Sequence, residues 1–358
     1  MKNMKECKRC LFDESFATIS EQQCEYCDLH DSLEKQSDFS QLMPTIYKIK
    51  NKGRRKKYDC IMGISGGIDS SILLYTAVKY WKLRPLVIHF DNNWNAPEAK
   101  HNMNGLITKL NVDLITYQVN KKEYDKLNDS ILCAGVPDAD IPNDIAMTKL
   151  MYDTAHKYKI KYILNGHDFR TEGSTPKGWT YMDAKYICDL YKKHTGLELS
   201  NFPLFTFKDQ LFYAWKGIEN IRPFHYGFDR DKMEKEMKQL IEWKDYGGKH
   251  CENIYTEFVG SYLLPEKFNI DKRIVYLSAQ VRSGRLTKQQ ARKLFNVKSS
   301  FDFDKLGKDK ERIKKLISLP IGNRNNFKKY NFKKYKFLFW ILQKMKVVPY
   351  TFYIKYCK

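Results

Sequence analysis

The chain has 358 residues, with 63 Lys and Arg against 42 Asp and Glu, a formal net charge of +21 and a mean hydropathy of −0.60. That length supports two domains with appendages, and the positive surplus favours anionic partners: nucleotides, nucleic acid or an acidic membrane face. The opening MKNMKECKRC lacks a signal-peptide apolar core, and no apolar run approaches the ~18 residues of a membrane span, so a cytoplasmic location is expected.

In a cytoplasmic setting the nine cysteines are thiols or metal ligands rather than disulfides. Cys7-x-x-Cys10 and Cys24-x-x-Cys27 come first, thirteen residues apart. Two such knuckles bring four thiolates within tetrahedral reach of one Zn²⁺, so residues 1–32 are predicted to be a closed, structural zinc ribbon. A helix is expected over Leu33–Ile49, followed by the basic linker KIKNKGRRKK, read as solvated surface.

The segment YDCIMGISGGIDSSILLYTAVKYW organises the rest of the chain. Its apolar run (Cys60, Ile61, Met62, Ile64) stops at Ser65-Gly66-Gly67, and a helical pattern through Ile72, Leu73, Leu74, Ala77 and Val78 begins after Asp69: a buried strand, a glycine turn and a helix start. Adjacent glycines let the backbone approach a ligand, and the amides of residues 66–71 would converge on an anion, with the hydroxyls of Ser65, Ser70 and Ser71 adding donors. Neither a Walker loop nor a dinucleotide fingerprint is present. SGGIDSS instead resembles the PP-loop, S-G-G-x-D-S, of the N-type ATP pyrophosphatases, which cleave ATP between its α- and β-phosphates, adenylate an oxygen and release pyrophosphate. An ordinary serine-capped turn is the competing reading.

A second buried strand, Arg84 to Phe90 with His89 near its end, runs into Asp91-Asn92-Asn93-Trp94-Asn95. Helix 96–110 and strand Asp113–Val119 complete β-α-β-α-β. This alternation predicts an α/β fold with a doubly wound parallel sheet of PP-loop type, its ligand at the carboxyl ends of the strands. Asp91 is placed there to contact adenosine or its sugar, or serves only the turn. After the loop GVPDADIPND come helix Ile145–Tyr158 and strand Tyr162–Asn165, ending in Gly166-His167-Asp168. In PP-loop enzymes the corresponding turn and its acidic partner face phosphates and Mg²⁺, which makes Asp168 and Asp69 the candidate Mg²⁺ contacts. His167 is either a donor to the adenylate or a capped core histidine.

Residues 170–225 are read as a lid or substrate region outside the alternation, with a strand or loop near Ile221. Residues 226–320 form a helical substrate or partner region, interrupted by Tyr246-Gly247-Gly248-Lys249-His250-Cys251-Glu252-Asn253. That interruption is either site chemistry or a helix C-cap followed by a new helix. The domains are thus 1–32, a PP-loop domain at 55–225, 226–320, and a basic aromatic tail at 321–358. The tail repeats NFKKY and carries Phe337 to Leu342. It suits nucleic acid, an anionic bilayer surface, a partner protein, or packing against its own domain.

Taken in order, the cysteine pairs, SGGIDSS, HFDNNW, GVPDADIPND, YGGKHCENIYTEF and DKRIVYLSAQVRSGRLTKQQA resemble the N-acetyl sugar amidotransferases of bacterial surface-polysaccharide, lipopolysaccharide and flagellin glycan synthesis, over residues 5–300. NGHDFRTEGST departs from that pattern. The resemblance implies ATP, Mg²⁺ and structural Zn²⁺ as cofactors and conversion of a sugar N-acetyl group to an acetamidino group. It also implies ammonia from a separate glutaminase subunit, with a cyclase-like partner. Catalytic roles would fall to Asp69, Asp168, Lys249 and His250. The ATP site would comprise Ser65, Gly66, Gly67, Asp69, Ser70, Ser71, His89, Asp91, Gly166 and His167, and the sugar would meet Lys249, His250, Glu252 and Arg282. No nucleic-acid partner is expected, while the tail would contact a partner protein or the inner membrane face. The rival is a PP-loop tRNA-thiolating or tRNA-modifying enzyme, disfavoured because no C-x-x-C occurs after residue 60; a non-catalytic scaffold is a third reading.

Overall fold

Apolar strands bounded by glycine and polar turns alternate with amphipathic helices from Cys60 onward, and this pattern builds the sheet that carries the site. The computed structural model describes residues 5–357 except Phe228, Lys346 and Pro349, with Tyr350, Thr351 and Ile354 as backbone alone. The chain opens with a two-stranded antiparallel hairpin, β1 (Ile19–Ser20) and β2 (Gln23–Cys24), then α1 (Glu25–Gln36). The helix expected over Leu33–Ile49 is two elements. Asp38 accepts from the Ser40 amide at 2.9 Å, capping a short 3₁₀ turn before α2 (Leu42–Gly53). A short polar side chain offers the backbone a local partner and ends the first helix there.

β3 (Cys60–Gly63), α3 (Ile68–Lys79), β4 (Pro85–Asp91), α4 (Pro97–Leu110) and β5 (Asp113–Gln118) keep to the expected alternation. α5 (Lys121–Cys133), an element the apolar pattern did not reveal, precedes α6 (Ile141–Lys157). α6 starts before the predicted Ile145 because Pro142 stands in its first turn, where its missing N–H costs nothing. β6 (Tyr162–Leu164) comes next. α7 (Phe169–Glu172), α8 (Ala184–Thr195) and α9 (Phe207–Trp215) then lead to β7 (Glu219–Ile221), so the strand or loop expected near Ile221 is a strand.

The five long-range strands run parallel in the order β5-β4-β3-β6-β7. Successive residues face opposite sides: Ile61, Leu86, Ile88 and Ile163 pack into one core with α5, α6 and α8, while Cys60, Met62, Val87 and Leu164 pack into the other with α2, α3, α4 and α10 (Arg230–Ile241). The chain winds outward from β3 through β4 to β5, then returns to β6 and β7. Where the direction switches, between β3 and β6, the connections diverge and leave a crevice at the carboxyl ends.

α11 (Ile254–Phe258) runs into a wide π-type turn, Val259–Lys267, and then come α12 (Arg273–Arg282), α13 (Lys288–Asn296) and α14 (Lys310–Ile317). Phe12 and the four ribbon cysteines share a core with Ile274, Val275, Leu277 and Ala291, so the ribbon docks on α12 and α13. In the tail, α15 (Lys336–Lys344) and α16 (Tyr350–Cys357) form a small aromatic core with Phe207 of α9. The apolar run at 337–342 divides: Phe339 enters that core, whereas Phe337, Leu338 and Trp340 are exposed.

Candidate active site

The loop after β3 has its shape fixed by close packing. Gly66 has φ +80°, and a Cβ there would lie 2.2 Å from the Ala99 carbonyl oxygen, so only glycine fits between β3 and α4. The Ser65 hydroxyl accepts from the Gly67 amide at 3.1 Å; Ser70 Oγ donates to the Gly67 carbonyl at 3.1 Å and accepts from the Ser65 amide at 3.3 Å. Gly67 then opens α3, whose first-turn amides face the crevice. Ser71 departs from its expected role. It is fully buried with its Oγ unpartnered, on the core side of α3, and lends no donor to the loop.

The first turn of α3 also sets Asp69 inside a charged cluster. Arg230 donates to Asp69, and Lys249 Nζ is 3.3 Å from Asp69 and 3.6 Å from Glu172. Burial works to raise the Asp69 pKa, but Lys249 and Arg230 outweigh it and hold the carboxyl below the usual range. Glu172 moves the other way: burial raises it against the pull of Lys249. Asp168 does not line the cavity. It is buried, its Oδ1 accepts from the Arg170 amide at 3.0 Å to cap α7, and its other oxygen lies 3.6 Å from Arg230. Neither Arg230 nor Glu172 stood out in the sequence. Glu172 lies in NGHDFRTEGST, the stretch that departs from the family pattern, and Arg230 opens a helix with nothing local to mark it.

Gly166 and His167 come after β6, directly across from this loop. A Cβ on Gly166 would lie 3.3 Å from the Asp69 carbonyl oxygen, a tight approach between the two strand-end turns. His167 is 3.4 Å from Glu172, and its Nδ1 is 3.5 Å from His225; burial, then Arg222 and His225, push its pKa down to about 3, so it is neutral at pH 7. At the end of β4, His89 is buried: its Nδ1–H donates to the Ile64 carbonyl at 2.9 Å, leaving Nε2 to accept from Asn95 at 3.1 Å. Asp91 accepts from the Asn93 amide at 2.9 Å and from Asn95 at 3.0 Å, so it holds the turn that orients Asn95.

A long-range pairing brings the second half of the chain over the loop. Asn95 bridges Asn253, the Ala96 amide donates to Glu252 at 3.0 Å and the Ile254 amide to Trp94 at 2.7 Å, while Asn253 donates to Asn92 at 2.8 Å. Tyr246 OH accepts from the Ile68 amide at 2.9 Å, and a Cβ on Gly67 would lie 2.8 Å from Glu252 Oε1. Lys249, His250 and Glu252 therefore overhang the loop after β3. His250 holds φ +66°, a strained conformation for a residue with a Cβ. The residue keeps contact with solvent although protein surrounds it, and that depth in the cleft, then Lys249 and Lys272, lower its pKa. Burial pushes Glu252 up to about 7.

These overhanging residues separate two joined chambers. One, of about 380 Å³, lies over Ser65, Gly67, Asp69 and Ser70 and is closed by Gly166, His167 and Arg222. The other, of about 330 Å³, is lined by His89, Asn92, Asn95, Asp140, Asn143 and Lys272. Ser65, Lys249, His250 and Glu252 border both.

Arg282, expected in the sugar pocket, is elsewhere. Its Nε is 3.4 Å from Cys27 Sγ and its Nη2 3.3 Å from Cys10 Sγ, buried behind the ribbon. A guanidinium is weakly hydrated and always charged, so it settles against thiolates that would otherwise be buried unpaired. The four cysteines are brought together as expected: Cys7–Cys27, Cys10–Cys24 and Cys24–Cys27 are 3.7, 3.6 and 3.6 Å apart, and all four sulfurs lie within 4.8 Å of one another. Zn–S bonds of ~2.3 Å in a tetrahedron demand S···S edges of about 3.8 Å, so the donor set fits one tetrahedral ion.

A family model described as LPS biosynthesis protein WbpG-like, C-terminal domain, matches residues 252–346, beginning at Glu252. This fits the surface-polysaccharide family that the sequence resembles. An uncharacterised protein of Methanocaldococcus jannaschii is 25% identical over 255 residues, which is 69% of this chain and 75% of that one. Among solved structures, the NMN synthetase of Francisella tularensis is 15% identical, with a TM-score of 0.31 over 63% of this chain and 92% of that one. The U34-tRNA thiolase NcsA of Methanococcus maripaludis, with its [4Fe-4S] cluster, is 12% identical, with a TM-score of 0.33 over 91% and 99%.

Proposed function

We propose that the chain is an ATP-dependent, AMP- and pyrophosphate-forming amidotransferase that converts an N-acetyl group on a nucleotide sugar or nonulosonic-type sugar to an acetamidino group. The observation that carries this reading is the junction of the two chambers: a loop suited to pyrophosphate on one side, a polar pocket on the other, and Lys249, His250 and Glu252 between them. The surface-polysaccharide description of the matched C-terminal domain supports the sugar.

The chemistry starts from a poor leaving group. The amide oxygen attacks the α-phosphorus, an O–P bond forms, the bond to pyrophosphate breaks and the amide N–H proton is lost, giving an O-adenylated imidate. Ammonia adds to the imidate carbon and the C–O bond to AMP breaks. Charge develops on the departing pyrophosphate, where the α3 amides, Ser65, Ser70 and Lys249 stabilise it. Bound Mg²⁺ would neutralise phosphate charge, with Asp69 as its contact from this chain; Asp168 stands behind Arg230 and orients it. Neutral His167 and Arg222 close the nucleotide chamber, and Asn95, oriented by Asp91, faces the sugar. Lys272, across from Lys249, meets an acidic group of the sugar. The cysteines would hold structural Zn²⁺.

Ammonia comes from a separate glutaminase subunit, with a cyclase-like partner in the same assembly. The protein works in the cytoplasm, at the inner membrane face. Incubation with ATP, Mg²⁺, ammonium and a panel of N-acetylated sugars tests the reading: a product lighter by about one mass unit, as O becomes NH, together with AMP, is expected. Thiolated tRNA with no sugar product would instead establish the tRNA-modifying rival.

A further inference from the structure

We propose that α15 and the turn before it seat the enzyme on an anionic bilayer surface, which gives the membrane-face location proposed above a named contact. Residues 321–358 contain ten Lys or Arg and no Asp or Glu. Within α15, Phe339 alone is buried, at 4% exposed, and anchors the helix to Phe207 and Phe332 at ring distances of 5.5 and 4.7 Å. At 100° per residue the remaining apolar positions fan across the outward side: Phe337 is 73% exposed, Leu338 51%, Trp340 44% and Met345 66%, with Tyr335 beside them.

Cations stand beside these apolar side chains. Lys333, Lys334, Lys336 and Lys344 are all exposed, the Phe337 and Trp340 rings stack at 6.1 Å, and Lys344 Nζ lies 5.8 Å from the Trp340 ring. An exposed aromatic and aliphatic face with lysines beside it, in a segment whose sequence has no Asp or Glu, matches what an interfacial helix needs: apolar side chains to enter the acyl boundary, Trp and Tyr at headgroup depth, and positive charge for anionic lipid. A nucleic-acid surface is disfavoured, because the exposed Leu338 and Met345 would meet only phosphate. A second copy of the chain is also disfavoured, because apposed tails would set lysine against lysine. No helix of the described residues is long and apolar enough to cross a membrane, so this one lies along the surface.

Flotation of the full-length protein with vesicles tests the proposal. Binding is expected to vesicles of mixed phosphatidylglycerol and phosphatidylcholine, and to fall at least about tenfold with phosphatidylcholine alone or at high salt. Phe337→Ser with Leu338→Ser, and separately Lys333→Glu with Lys334→Glu, should each lower binding by a similar about tenfold factor. All four side chains are exposed, so the variants should keep the parent melting temperature, and they should amidinate a water-soluble sugar at the parent rate. Brominated lipid should quench tryptophan fluorescence in the parent and less in Trp340→Tyr. Wild-type protein that fails to float, variants that float equally well, self-association lost in the Phe337/Leu338 variant without lipid binding, or binding of an RNA oligonucleotide in place of vesicles would each overturn it. Vesicle binding requires neither ATP nor sugar, so this result and the amidination result stand or fall separately.

Discussion

One guanidinium joins the two carboxylates on which the magnesium expectation rests: Arg230 donates to Asp69 through one terminal nitrogen and stands 3.6 Å from Asp168 with the other. All three groups are largely buried, and Arg230 comes from α10, far along the chain from the loop that opens α3 and packed back over it. Removing the cation takes the ion-pair partner from buried Asp168 and leaves Asp69 with Lys249 alone. Arg230→Met should therefore cost about 3–5 kcal/mol of folding stability, measured by denaturant unfolding, and pyrophosphate release should fall with it. Arg230→Lys should recover part of the stability.

The two loop glycines should respond differently to alanine. Gly66→Ala combines positive φ with a clash against the Ala99 backbone and should destabilise by about 2–4 kcal/mol. At Gly67 the new Cβ meets the end of the Glu252 side chain, which can swing aside. Gly67→Ala should melt near the parent temperature while losing turnover, because Glu252 leaves the chamber border. Equal melting temperatures for both variants would contradict the packing described for Gly66.

Lys249→Ala should lower amidination at least about 100-fold, with the metal content of the parent. Lys249 reaches both Asp69 and Glu172 and borders both chambers, so near-normal turnover would remove it from the mechanism.

Arg282 should behave as part of the ribbon rather than of the sugar site. Arg282→Leu strips the charge partner from Cys10 and Cys27 and should weaken metal retention about 10–100-fold in chelator competition. Its KM for the sugar should be unchanged once the protein is metal-loaded; a rise in KM alone would restore Arg282 to the sugar pocket.

Glu252 gives the nucleotide-free protein a pH signature. Burial raises its folded pKa from 4.5 to about 7, so the folded state holds more protons than the unfolded state between those values. Its contribution to stability is present below about pH 4.5 and is lost as pH rises through about 7. Glu252→Gln should flatten the melting-temperature profile in that window, and an unchanged slope would show that another group titrates there.

What could be read from sequence was local. SGGIDSS after a buried strand and two C-x-x-C pairs carry their geometry in their spacing, so the glycine turn into α3 and the clustering of the four cysteines were legible before any fold was known. Gly166 and His167 could be placed because strand ends on one sheet edge face one crevice. Arg230 and Glu172 could not, since nothing near them reveals that α10 and α7 converge on Asp69. Arg282 was misplaced because charge density in QVRSGR does not tell which side of α12 an arginine takes; that helix turns it toward the sulfurs. Ser71 failed for the same reason, one residue of helical rotation carrying it from the crevice into the core. The break at Ser37-Asp38 and the existence of α5 depended on capping and tertiary packing that outweighed local apolar periodicity.

The central claim is that this PP-loop places an amide oxygen on the α-phosphorus of ATP. The direct measurement uses an N-acetylated sugar whose acetyl carbonyl bears heavy oxygen, with ATP, Mg²⁺ and ammonium, followed by mass spectrometry of the released nucleotide. The account predicts that the heavy oxygen passes quantitatively into AMP and that the sugar retains none. Unlabelled AMP, or ADP with inorganic phosphate as the products, would contradict it.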